Sequence, residues 1–181
     1  AVADLKGGVR AMREALEQLG RDPATVQVTS YLPAIMDSDG VLDLAATVTA
    51  RGADLGIAFD GDGDRCLMVD GAGRVVDGDQ MVWLLAQDRL ACGDAPPGVV
   101  GMLMTNGGLA QALHHAGIPF VRTAVGDKFL LREMAKRGWD LAAEASGHLI
   151  QKRVGPSGDG LAAGLSILRA LLHRTPEHRW D

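Results

Sequence analysis

Apolar positions recur along this chain with two periods, and the switches between them mark out its elements. Val9, Met12, Leu16 and Leu19 share one helical face over 8–20 and stop at Gly20, a natural helix end. The alternating TVQVTS at 25–30 predicts a strand, SDGVLDLAATVTARG at 38–52 a capped helix, and 54–59 a short strand buried on both faces. Strand–helix–strand order predicts parallel pairing. RCLMVD and RVV then flank DGAG at 70–73, the composition of a tight hairpin turn, and Asp79 is placed to cap a helix running to about Arg89. Past the polar, proline-bearing break CGDAPPG at 92–98, a second α/β unit is predicted: strand 99–104, helix 108–116, strand 120–124, helix 127–136, then LAAEASGHLI at 141–150. A last helix over 158–174 carries Leu161, Leu165, Leu168 and Leu172 as one apolar stripe. The expected class is α/β with mixed, mostly parallel sheets.

Composition narrows the function. Of 181 residues 47% are hydrophobic, and 18 basic against 23 acidic residues leave a formal charge of −5. With no basic block, a nucleic-acid partner is excluded, so an anionic substrate must be held locally. Cys66 and Cys92 lie far apart with neither a disulfide framework nor metal-type spacing, which fits a reducing compartment; both are expected in the core. No apolar run has the length of a membrane span and the start AVADLKGG lacks signal-peptide character, so a cytoplasmic location without a membrane partner is expected.

The chemistry concentrates where the strand at 54–59 breaks into Asp60, Asp62 and Asp64, spaced by glycines and followed by Arg65. On an extended strand such alternate residues sit about 7 Å apart, too far to share a small ion, so the segment must curl. Gly61 and Gly63 permit it. Three neighbouring carboxylates repel unless a cation sits among them, and hard oxygen ligands suit Mg²⁺ or Ca²⁺. A calcium EF-hand needs glycine at its sixth position and glutamate at its twelfth; Arg65 and Gly71 stand there instead. A Mg²⁺ ion on Asp60, Asp62 and Asp64, with Arg65 alongside, brings the net charge near zero, so a phosphate can approach. Phosphoryl transfer is the reaction class that most wants this arrangement.

The segment ADLGIAFDGDGDR at 53–65 resembles the metal loop of the α-D-phosphohexomutases. VGDKFLLREM at 125–134, AEASGHLI at 143–150 and SGDGLAAGL at 157–165 resemble the sugar-binding third domain of these enzymes, in order, with likeness over 51–172. The resemblance implies two consecutive α/β/α sandwich domains: 1–74 carrying the metal loop, its first strand truncated, and 75–181 carrying the sugar loop. It further implies a Mg²⁺-dependent mutase working through a phosphoserine and a bisphosphate intermediate. The nearest branch interconverts glucosamine 6-phosphate and glucosamine 1-phosphate; the alternative is the branch acting on mannose or glucose phosphates.

Carried over, the family roles give Asp60, Asp62 and Asp64 to the metal, Arg65 to the phosphoserine, and Glu144 and Ser146 to sugar hydroxyls, where an acceptor and a two-way hydroxyl suit polyol recognition. His148 is a candidate proton carrier and substrate contact, or else a structural histidine on a loop carbonyl. Lys128, just inside a helix that Asp127 caps, either reaches a phosphate or the reacting oxygen or is a solvated first-turn lysine, and Asp127 joins the substrate-binding set. The family's phosphoserine segment and its last phosphate-binding loop have no counterpart in this sequence. The expectation is therefore domains two and three of a mutase, inactive alone, with domains one and four as partners. A free-standing, non-catalytic module binding Mg²⁺ and a sugar phosphate competes with it. So does a haloacid-dehalogenase-like phosphatase, which leaves the third aspartate and Arg65 unexplained.

Overall fold

The computed structural model describes Glu17 and residues 38–174. The helix expected over 8–20, apart from Glu17, and the strand expected over 25–30 lie outside the described residues. Residues 38–174 belong to one compact unit.

Helix α1 (Ser38–Arg51) ends at Gly52 in the left-handed region and leads into β1 (Leu55–Phe59). β1 pairs antiparallel with β2 (Cys66–Asp70), and β2 with the short β3 (Val75–Val76), giving a three-stranded sheet in the order β1-β2-β3. What is described of this sheet is antiparallel, because the loop at 60–65 folds the chain straight back and sets Phe59 opposite Cys66 with no helix between them; the parallel pairing expected of 54–59 with the strand at 25–30 lies outside the described residues. β1 is not buried on both faces as expected. Gly56 and Ala58 are, with Gly56 against Leu44 and Val48 of α1, while Leu55, Ile57 and Phe59 pack on the core yet stay half-buried. The DGAG turn is as expected, with Gly73 at φ 82° and the buried Asp70 accepting from the backbone of Ala72 and Arg74 and from Arg74 Nε.

Helix α2 (Gly78–Ala91) is capped by Asp77 rather than Asp79, in a reciprocal box with Gln80. Asp79 is buried instead and accepts from the amide of Asn106. β4 (Val99–Met102), α3 (Gly107–His115), β5 (Phe120–Thr123), α4 (Asp127–Arg137), β6 (Leu141–Ala143), β7 (Leu149–Gln151) and α5 (Gly160–His173) follow. The second sheet runs β5-β4-β6-β7, parallel across its first three strands and antiparallel at β7. β4 stops short of the expected strand, and Leu103 and Met104 are exposed in the turn that follows.

Period-two alternation divides the interior between the two faces of this sheet. Val99, Leu141, Ala143 and Leu149 join the larger core with α2, α3, α5 and β2. Val100, Met102, Ala142 and Ile150 face α4, where Leu130 and Met134 are fully buried, each stabilising by about 2 kcal/mol. The result is helix, sheet, helix. α4 stops at Gly138, left-handed at φ 68°, whose neighbour Trp139 donates back to Met134. On α5 the buried stripe is Gly160, Ala163, Gly164, Ile167, Ala170 and Leu171. The four leucines read as the apolar stripe are only half-buried, because Gly164 lies against Phe59 and the Cys66 thiol and leaves no room for a long side chain. Cys66 is buried, and that burial pushes its thiol up to about 12, whereas Cys92, also expected in the core, is exposed.

Candidate functional site

Two loops meet at one end of these layers. The first is the β1–β2 hairpin loop with the aspartates. Asp60 closes it: its carbonyl accepts from Gly63 and its carboxylate from the Arg65 amide. Gly63 takes φ 73°, the curl expected of the glycine spacing. Arg65 Nε lies 3.8 Å from Asp60 and 4.0 Å from Asp64, so the arginine stands beside the acids as charge balance requires.

The second loop joins β6 to β7 as a tight hairpin. Glu144 N–H donates to the His148 carbonyl, Gly147 N–H to the Glu144 carbonyl, and the Ser146 hydroxyl to the Glu144 carboxylate at 3.2 Å. Gly147 adopts φ 91° with its α-carbon pressed on β2, and a Cβ there would overlap the Cys66 carbonyl oxygen. Cys66 N–H in turn donates to the Gly147 carbonyl, and Arg65 and His148 form an antiparallel bridge. These contacts join the two sheets along one seam.

His148 sits in that seam, 6% exposed. Its Nδ1 lies 3.2 Å from Asp64 Oδ2 and its Nε2 3.2 Å from Asp127 Oδ1. Each ring nitrogen faces a carboxylate, so either tautomer makes one donation. The histidine is thus bonded to one carboxylate of the aspartate loop and one at the start of α4 rather than to a loop carbonyl. Asp127 does not cap α4: the capping position is Gly126, and Asp127 is the first helical residue, aimed at His148. Lys128 is exposed, its Nζ 5.0 Å above the Phe129 ring, and stays outside this cluster.

The segment SGDG, known from sequence only as part of the resemblance, supplies the support. Gly158 makes space for the His148 ring, with which a Cβ would collide. Asp159 caps α5 through Ala162 N–H. Gly160 donates to the Gly63 carbonyl at 2.9 Å and packs under Arg65, so the start of α5 props the aspartate loop from below. A signal for this was present in the sequence: two glycines flanking a capping aspartate just before an apolar helix mark a close approach of backbones.

Asp60, Asp62 and Asp64 do not all converge within 4.8 Å. Asp60 and Asp64 lean together, while Asp62 is exposed on the turn. Burial first, then the hydrogen bond and charge of Asp60, push the Asp64 carboxyl above its usual range, although His148 and Arg65 pull it down. A carboxylate crowded by another is a group in want of a cation. With three carboxylates as hard oxygen donors on one open turn, the set fits Mg²⁺.

An α/β/α unit whose sheet seam brings an acidic metal-type loop against a Glu-x-Ser-Gly-His hairpin defines a class of phosphosugar enzymes, and the comparisons agree. Residues 77–179 match the family model for phosphoglucomutase/phosphomannomutase, alpha/beta/alpha domain III. The chain belongs to this family of α-D-phosphohexomutases. It is 50% identical over 137 residues to a phosphoglucosamine mutase of Azotobacter vinelandii, covering 76% of this chain and 31% of that protein. Among solved structures, a phosphoglucomutase/phosphomannomutase family protein of Burkholderia thailandensis superposes at TM-score 0.70 with 27% identity, over 81% of this chain and 32% of that one. An Aspergillus fumigatus N-acetylphosphoglucosamine mutase, solved in complex with GlcNAc-6P and magnesium, shares the fold at TM-score 0.57 and 20% identity, over 92% of this chain and 35% of that one. The chain thus spans about a third of the length of the curated relative it matches. The haloacid-dehalogenase alternative falls with the family assignment. No helix among the described residues is long and apolar enough to cross a membrane.

Proposed function

We propose that this chain is the metal- and sugar-binding portion of a phosphohexomutase that interconverts glucosamine 6-phosphate and glucosamine 1-phosphate, and that it is inactive without the phosphoserine and the phosphate-binding loop of the rest of such an enzyme. One observation carries the reading: the buried His148 touches Asp64 of the aspartate loop and Asp127 beside the sugar hairpin, so both motifs serve one site. The half-identical relative of that activity supports the amino-sugar branch over the mannose and glucose branches.

Asp60, Asp62 and Asp64 would hold Mg²⁺, whose contribution when bound is to neutralise charge on a phosphoryl group in transfer. Arg65, half exposed at 46% beside these acids, reaches out to a phosphoryl oxygen and holds it with the forked donors of its guanidinium. Glu144 accepts from a sugar hydroxyl, and Ser146, already poised on Glu144, both donates and accepts. Asp127, 44% exposed where His148 is 7%, is the member of that pair able to meet substrate; it takes the hydroxyl proton at Oδ2 while His148 Nε2 on Oδ1 keeps it oriented. Lys128 is free to swing from Phe129 toward a substrate phosphate.

Thermal melting of the chain with and without Mg²⁺ tests the metal site. Binding to the folded form alone raises the midpoint, and Asp62→Asn abolishes the rise. A midpoint unmoved by millimolar Mg²⁺ would count against the assignment. Adding back the missing mutase domains and measuring turnover with each hexose phosphate then tests the sugar, with glucosamine 6-phosphate expected fastest.

A further inference from the structure

Helices α2 and α5 both begin at the site just described. Gly78 of α2 donates to the Ala145 carbonyl in the sugar hairpin, and Gly160 of α5 donates under the aspartate loop. Each is 14 residues long, so their carboxyl ends lie about 20 Å from that site. At those ends Asp88, Cys92 and His173 come together.

Asp88 and Cys92 are four residues apart on one face of α2, with the Cys92 amide closing the helix on the Asp88 carbonyl. His173 is the last residue of α5, its Nδ1 2.8 Å from Asp88 Oδ1. One ligand atom from each of the three lies within 4.8 Å of the others, and among the described residues no other trio of His, Cys, Asp or Glu converges this way. Two physical features ask for a cation there. The Asp88 side chain is only 5% exposed, so its charge has little water to spread into. It also stands in the last turn of α2, where the helix dipole is negative, and α5 ends beside it with the same sign. Arg89, the basic residue of that turn, is committed elsewhere, to Asp140 and Asp94.

We propose that Asp88, Cys92 and His173 form a binding site for a transition-metal ion of the Zn²⁺ class, separate from the aspartate loop. Thiolate, imidazole and carboxylate together select a borderline-soft ion over Mg²⁺. Tetrahedral ligands at zinc distances sit roughly 3.3–3.8 Å apart, so the His173–Asp88 contact opens by about half an ångström and the exposed thiol closes by a rotation. The fourth position faces solvent and takes water. Such an ion pins together the far ends of the two helices whose near ends prop the two loops. The spacing of the cysteines in sequence hides this site, because its histidine comes from a helix more than 80 residues later, as the 85-residue separation from Asp88 shows.

The test is a titration of the reduced, chelator-stripped chain with Co²⁺ in saturating Mg²⁺, which keeps the aspartate loop out of the signal. The expected result is one equivalent of Co²⁺ with a thiolate-to-metal charge-transfer band and intense visible absorption, both erased by Zn²⁺. Cys92→Ser removes the charge-transfer band, and His173→Gln weakens Zn²⁺ by more than the roughly hundredfold that loss of an outer partner brings at most. Cys92 is exposed, so Cys92→Ser keeps the melting midpoint of the parent. Zn²⁺ also protects Cys92 from alkylation. A weak octahedral cobalt spectrum without charge transfer, or a band that persists in Cys92→Ser, would overturn the proposal.

Discussion

The two loops of the site are both rich in glycine, and they use it in opposite ways. At Gly61 and Gly63 an added Cβ would meet nothing, and the loop they shape is open, charged and held by hydrogen bonds that Asp60 accepts and one that Gly160 donates. At Gly147 a Cβ would strike the backbone of β2, and at Gly158 it would strike the His148 ring. The aspartate loop is therefore shaped by permissive backbone with open space around it. The Glu144–His148 hairpin is shaped by contact and arrives already formed. In the proposed function the first would respond to a metal ion and the second would hold sugar hydroxyls at fixed positions.

Substitution can break this contrast. The largest effect is expected from Gly147→Ala, which combines a positive φ with overlap on the Cys66 carbonyl: a loss of about 3 kcal/mol or more, read by urea unfolding. Asp70→Ala strips the acceptor from the backbone amides of Ala72 and Arg74 in the β2–β3 turn and destabilises by about 2 kcal/mol in the same assay.

Acid separates the regions next. Burial works against ionisation of Asp70, but the Arg74 amide, its side chain and its charge, with the Ala72 amide, hold the carboxyl below its usual 3.8. That stabilisation is complete above the unfolded value and is lost as pH falls below it. Asp64 has the opposite sign: its raised folded value means that the native state gains stability as pH falls through that value toward 3.8. Melting curves from pH 7 to pH 3 should therefore show Asp64→Asn lacking a gain on mild acidification, and Asp70→Asn lacking part of the loss at stronger acidity. The smallest effect is expected from Gly61→Ala, within about 0.5 kcal/mol by urea unfolding. A large loss there would erase the distinction between the loops.

Much of the second α/β unit was legible because its strands are apolar runs between clear breaks and its helices carry their stops, Gly138 among them. The aspartate cluster was legible because like charges at that density have few uses. The partner of the strand at 55–59 was less legible: nothing periodic in the sequence says that the fold-back at 60–65 sets Cys66 opposite Phe59. The cap of α2 was missed by two residues, since Asp77 and Asp79 are equally good capping types and only tertiary contact with Asn106 draws Asp79 inward. The leucines of α5 outweighed its small residues by hydrophobicity, yet closeness to β2 selected Ala163 and Gly164 for the buried side. Contacts across long sequence separation, such as Asp127 with His148 and Asp88 with His173, leave no periodic trace.

The antiparallel bridge between Arg65 and His148 makes the site intolerant of changes in chain length. Side chains alternate along such a pairing, so one residue added between Ala143 and Leu149 would turn the imidazole to the opposite side of the strand and sever both carboxylates from it at once. Lengthening is affordable at the exposed 93–95 stretch instead, which leaves that alternation untouched. The hairpin thus tolerates exchange of side chains far better than a change in its count of residues.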